Sequence, residues 1–86
     1  MAAPKRIKLA LSEEEKDCLK DIFYAYRDKN EEDTDDLEKL FSKDTISYNI
    51  EELHAIIVDA IKNTELEDSC RRLMTFLKIR IEVKSN

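Results

Sequence analysis

Both ends of the chain alternate between apolar and charged residues, and the stretch between them repeats its apolar positions at helical spacing. Near the start, Ile7, Leu9 and Leu11 fall on one face of an alternating segment, with Arg6, Lys8 and Ala10 on the other. At the end, Leu77, Ile79, Ile81 and Val83 alternate with Lys78, Arg80, Glu82 and Lys84. Period two is the signature of a strand with one buried face. Helix continued through Val83 also accommodates the last segment, but β-branched Ile79, Ile81 and Val83 favour strand. The chain holds no glycine. Tight two-residue hairpins are therefore disfavoured, and each strand is expected to find a partner remote in sequence or on a second copy.

Between the ends the pattern predicts four helices. Ser12 and Glu15 form a capping box for the first, whose stripe is Cys18, Leu19, Ile22, Phe23 and Tyr26 and which fades near Lys29 and Asn30. Residues 31–36 read as a solvated acidic loop. Asp33 or Thr34 then caps a short helix facing inward through Leu37, Leu40 and Phe41. Residues 44–48 read as a polar connection with Ile46 and Tyr48 turned inward. Asn49 and Glu52 start a third helix lined by Ile50, Leu53, Ile57 and Ile61 and widened by Ile56, Val58 and Ala60, the most apolar of the four and so placed centrally. Asn63 ends it, and Thr64 with Glu67 opens a fourth that buries Leu66, Cys70, Leu73, Met74 and Leu77. The resulting fold class is α+β, mainly α: four short helices with N- and C-terminal strands pairing into a small antiparallel ribbon, in the order β-α-α-α-α-β. The whole of 1–86 is expected to form one domain with residues 1–4 frayed. At 86 residues it buries roughly 60–65% of its unfolded surface, so a partner or second copy would help it.

Charge divides the same way as the pattern. The net charge is −5, yet residues 1–11 carry +3, residues 71–86 carry +4 and the middle carries −12. Both predicted strands are basic and the helical body is acidic, so the overall pI describes neither surface. No apolar run approaches the roughly 18 residues of a membrane span, and the start lacks the apolar segment of a secretory signal. Two cysteines, Cys18 and Cys70, suit a reducing compartment and read as buried free thiols. A cytoplasmic location is expected, with the nucleus as the alternative because Pro4-Lys5-Arg6-Ile7-Lys8-Leu9 is similar to a short basic import signal.

The chemistry of a site is sparse. Residues 28–39 place oxygen ligands at positions one, three and five of an EF-hand-like string, but Asp33 stands where the turn needs glycine and Lys39 where the ion needs a bidentate glutamate. His54 is the only histidine, and Glu51, Glu52 and Asp59 around it read as the polar face of the third helix. No catalytic residue, cofactor or metal ligand is assigned, and no enzymatic activity is expected. A pocket lined by Tyr24, Tyr26 or Tyr48 is the remaining route to a small-molecule site.

The segment Lys5-Arg6-Ile7-Lys8-Leu9-Ala10-Leu11-Ser12-Glu13-Glu14-Glu15, continued by Leu19, resembles the strand-to-helix entry of ribbon-helix-helix DNA-binding proteins. The resemblance implies strands paired between two chains, with Arg6, Lys8 and Ala10 toward the major groove. It covers less than a third of the chain; the long first helix, the acidic loop and the missing glycine turn depart from it.

The reading that follows is a small non-enzymatic intracellular regulator or inhibitor that docks on another protein, such as a basic or nucleic-acid-binding one, through an acidic helical surface at Glu31, Glu32, Asp33, Asp35 and Asp36. The alternative is a nucleic-acid- or phosphate-binding regulator using Arg6, Lys8, Lys78, Arg80 and Lys84 on the terminal strands, with a homodimer as the form that would extend the ribbon. No membrane partner is expected.

Overall fold

The computed structural model describes residues 5–85, so the frayed start expected at residues 1–4 lies outside the described residues. In chain order these residues form β1 (Arg6–Ala10), α1 (Glu13–Lys29), α2 (Asp35–Leu40), β2 (Thr45–Asn49), α3 (Ile50–Lys62) and α4 (Asp68–Ser85). The expected class is present: four helices and one two-stranded antiparallel sheet.

The pairing differs from the expectation. β1 pairs with β2, in the register Ile7 opposite Tyr48 and Leu9 opposite Ile46, and residues 77–84 are helix. Leu77 and Ile81 are four apart, a spacing that both periods place on one face. What separates the periods is the rest of the stripe. Cys70, Met74, Leu77 and Ile81 are 6%, 0%, 0% and 1% exposed, whereas Ile79 and Val83, which alternation would bury beside them, are 50% and 68% exposed. Packing of one helical face against α3 thus overrides the strand propensity of the β-branched residues. α4 also starts at Asp68, later than the expected Thr64, because Asn63 first forms a turn in which its side chain accepts from the Glu65 N–H at 3.0 Å.

The segment read as a polar connection is β2. Only Ile46 and Tyr48 carry its alternation, too short a run to stand out, and Asn49 leads straight into α3 by accepting from the Glu52 N–H at 2.9 Å. The other expected cap is also there. Ser12 accepts from the Glu15 N–H at 3.2 Å while the Glu15 carboxylate accepts from the Ser12 N–H at 2.9 Å.

α1 ends in a motif that ordinarily uses glycine. The Glu32 N–H reaches Arg27 O at 2.8 Å and the Glu31 N–H reaches Asp28 O at 3.2 Å, a Schellman pair that needs the residue between cap and exit in the left-handed region. Glu31 occupies it, with φ of 56°. A residue bearing a Cβ is disfavoured there by roughly 1–2 kcal/mol, so Glu31→Gly is expected to stabilise the fold by about 0.5–1 kcal/mol once the added freedom of the unfolded chain is subtracted. A rise in thermal midpoint of a few degrees checks this; a fall would contradict it.

One hydrophobic cluster joins all six elements, from Ile7 and Leu9 of β1 through Leu19 and Phe23, Leu37, Ile46, and Leu53 and Ile57 to Met74 and Ile81. Two strands alone are marginal, and the helices supply the cover for their inner face. The outer face of β1, with Arg6, Lys8 and Ala10, is left to solvent.

Candidate functional site

Arg27 organises the acidic loop. Its position four after Phe23 puts it on the core side of α1, where it is 8% exposed. Nη1 donates to Asp33 O at 2.6 Å and to Asp36 Oδ1 at 2.9 Å, and Nη2 donates to Asp36 Oδ2 at 3.3 Å and to the Tyr48 hydroxyl at 2.9 Å. Nε lies 3.5 Å from Glu32 Oε2, an ion pair without hydrogen-bond geometry. The fork-to-carboxylate match is the strong form of the interaction. Hydrogen bonding to Asp36 keeps the guanidinium protonated, and Arg27 in turn holds the Asp36 carboxyl below its ordinary value. Of the acids expected to form a docking surface, Glu32 and Asp36 therefore face Arg27, and the Asp33 carboxylate accepts from the Asp35 N–H at 3.0 Å. Glu31 and Asp35 remain exposed beside them. The EF-hand-like string closes around this guanidinium, and among the described residues no cluster of three His, Cys, Asp or Glu is placed to hold a metal ion. Sequence reading missed Arg27; its signal is a cation in line with an apolar stripe, followed by acids five and nine residues later.

The expected basic residues are partly brought together. Lys5 O accepts from the Ile50 N–H at 3.0 Å and the Leu11 N–H donates to Asp44 O at 2.8 Å, so odd positions of β1 face β2. Even positions turn their backbone groups to the open edge. There α4 closes the edge with side chains: Lys84 Nζ donates to Lys8 O at 3.0 Å and Arg80 Nη2 to Ala10 O at 2.9 Å. Arg80 Nη1 also sits 3.2 Å from Glu15 Oε2. Arg6 lies across the ribbon, donating through Nη2 to Ser47 O at 2.9 Å. Arg6, Lys8, Arg80 and Lys84 thus gather around β1, although by a helix and not by a strand. Lys78 is separated from them, on the opposite flank of α4, with its Nζ 3.1 Å from Glu82 Oε2. An open edge guarded by cations is a common protection against strand addition. With β2 on its other edge, β1 could form the interchain ribbon implied by the ribbon-helix-helix resemblance only along the edge that Arg80 and Lys84 cap.

His54 is a half-exposed helix residue whose Nε2 lies 3.0 Å from Glu82 Oε2, the oxygen that Lys78 also meets. These contacts hold the Glu82 carboxyl below its ordinary value, His54 more than Lys78. They tie α3 to α4. The three tyrosines do not converge: Tyr24 donates to Glu38 at 3.1 Å, Tyr48 accepts from Arg27, and Tyr26 lines an open cleft of about 580 Å³ between α1 and α3. That cleft is floored by Ile22, Ala25, Ile56 and Ala60 and rimmed by Asp21, Asp59, Lys29 and Lys62, with no serine, threonine, cysteine or histidine among its lining residues. Cys18 and Cys70 are free thiols. Burial first, and then the neighbouring Cys18, pushes the Cys70 thiol up to about 12, so it stays protonated at neutral pH.

The feature no sequence reading isolated is the outer face of α4. Phe76, Ile79 and Val83 are 56%, 50% and 68% exposed, the large hydrophobics left outside the core among the described residues. Spaced three and four apart, they form a single line on the side of the helix away from Met74 and Ile81, and Arg72 continues it one turn earlier. The strand pattern of residues 77–84 concealed this face by assigning Ile79 and Val83 to the core.

No helix among the described residues is long and apolar enough to cross a membrane. Compared with family models, with curated proteins and with solved structures, the chain matches none.

Proposed function

We propose that this protein is a small non-enzymatic regulator that acts by docking on another protein, with the outer face of α4 as its principal contact. The observation that carries this reading is the confinement of the large exposed hydrophobics to one line of one helix. Scattered apolar residues are normal on a surface; a contiguous line rimmed by polar groups is the mark of a contact site. α4 does not need these side chains for its own packing, since its opposite face supplies Cys70, Met74, Leu77 and Ile81 to the core. The acidic segment contributes less contact than its composition suggests, because Glu32 and Asp36 are engaged by Arg27; the outward charge of Glu31 and Asp35 acts on the approach of a partner at longer range.

Replacing Phe76 and Ile79 together by aspartate is expected to leave the circular dichroism spectrum and thermal midpoint close to those of the parent and to abolish capture of a partner from an extract of the source organism. Retention of the same proteins by both forms would remove the reading. The gathering of Arg6, Lys8 and Lys84 at the β1 edge favours a second reading, nucleic-acid binding through that edge. It predicts binding to duplex DNA that weakens steeply with salt and depends on the cations more than on Phe76 and Ile79.

A further inference from the structure

We infer that the occupant of the α4 face is an amphipathic α-helix of another protein carrying acidic residues along one flank of its apolar stripe. This rests on the docking reading above and adds the form and charge of the partner.

The form follows from which groups are open to contact. Backbone groups of α4 short of its last turn are used within the helix, and the Lys8 and Ala10 carbonyls on the neighbouring strand edge are taken by Lys84 and Arg80. An extended peptide adding as a strand would have to displace both cations. Recognition is left to side chains that interdigitate, and Phe76, Ile79 and Val83 present them over a separation of seven positions, about 10.5 Å along the helix. That length matches two turns of a facing helix with anchors at i, i+3 or i+4, and i+7.

The charge follows from the two flanks. On the flank away from β1, Arg71 is paired with Asp68 and Lys78 with Glu82, so that side is neutralised within the chain. On the flank toward β1, Arg80 is paired with Glu15, but Lys84 and Lys8 form no ion pair with a carboxylate among the described residues, and neither does Arg72 in line with the stripe. Cations bordering an apolar line on one side call for acids on one side of the partner. A second copy is a poor occupant. Pairing α4 with α4 sets these cations against each other, and the exposed large hydrophobics of the described residues all belong to α4, so no acidic apolar face is on offer elsewhere. Phosphate backbones do not use a Phe-Ile-Val line, which disfavours nucleic acid as the occupant.

The test uses a synthetic amphipathic peptide of about 20 residues, long enough to be partly helical, with leucines at i, i+3, i+4 and i+7 and glutamates along one flank. A second peptide carries lysine in place of each glutamate. Binding is followed by fluorescence anisotropy at about 50 mM salt, and the contact is mapped from amide shifts. The acidic peptide is expected to bind with a micromolar Kd and the lysine peptide at least about tenfold more weakly. Phe76→Ala with Ile79→Ala should weaken the acidic peptide at least about tenfold, and Lys8→Glu with Arg72→Glu should remove or reverse the preference between peptides.

Stripe-dependent binding with equal affinity for both peptides overturns the acidic partner and leaves the docking reading standing. Stripe-dependent binding to phosphatidylserine vesicles, or to a short DNA duplex, in the absence of peptide binding overturns the protein partner. A concentration-dependent dimer abolished by Phe76→Ala with Ile79→Ala replaces it with a second copy. No binding of the acidic peptide in any form overturns the inference, and partner capture that is indifferent to Phe76 and Ile79 overturns the docking reading itself.

Discussion

Phe23→Ala is expected to lower the unfolding free energy by about 3–5 kcal/mol, the range for an aromatic removed from a core that cannot collapse around the gap. Phe23 is fully buried on α1, and its ring meets Phe41 edge-on at 5.3 Å and Tyr48 edge-on at 5.1 Å. Those neighbours come from the end of α2 and from β2, so the cavity would open where three elements meet and none can move in alone to fill it. In a chain of 86 residues, total stability is of order 5–10 kcal/mol, and this one substitution consumes about half. Urea denaturation should show the midpoint falling with little change in slope. A loss under about 1 kcal/mol would mean that the junction repacks, contrary to the expectation from native packing density.

Arg27→Met is expected to cost about 2–4 kcal/mol. Methionine keeps much of the buried stem but removes the donors to Asp33 O, the Asp36 carboxylate and the Tyr48 hydroxyl. The figure stays below that for a fully buried ion pair because the Asp36 side chain is 58% exposed and water can replace part of what it loses. The pH dependence separates this role from simple packing. Arg27 holds the Asp36 carboxyl below its ordinary value of 3.8, and a depressed carboxyl contributes stability that is fully present above the unfolded value and lost as pH falls through the folded one. Acid titration of the parent should therefore show stability declining below about pH 4, and Arg27→Met should flatten the part of that limb due to Asp36. Asp36→Asn should flatten it likewise, and in combination with Arg27→Met should cost less than the two single losses added together. If the acid limb is the same with and without Arg27, the guanidinium does not hold the loop.

The cations that α4 brings to the β1 edge and its exposed apolar line have a shared origin. A basic C-terminal segment placed as helix uses Arg80 and Lys84 to cap the open carbonyls of β1 and turns Ile79 and Val83 outward. Had the same residues formed a strand, they would have satisfied the edge with their own backbone and buried the apolar line. The choice between helix and strand at residues 77–84 therefore decides whether the exposed apolar line exists at all.

That choice marks the boundary of what was legible. Local chemistry determined the starts of α1 and α3, because Ser12 with Glu15 and Asn49 with Glu52 satisfy free N–H groups within one turn, whatever lies around them. It also determined β1, whose inward Ile7 and Leu9, continued by Leu11 just past its end, alternate without any competing helical pattern, and the segregation of positive charge to the two ends. Three things were decided only by tertiary structure. The strand partner of β1 is β2, because two inward residues suffice for a strand only when another strand is already presented to it. Residues 77–84 are helix, because Leu77 and Ile81 fit both periods and contact with α3 rewards the one that continues Cys70 and Met74. The acidic loop encloses Arg27, because a cation separated by up to nine residues from its partners meets them only after α1 has ended and the chain has turned back on it. Capping and alternation act over a few residues and can be read directly; pairing acts between surfaces that exist only after the elements have packed.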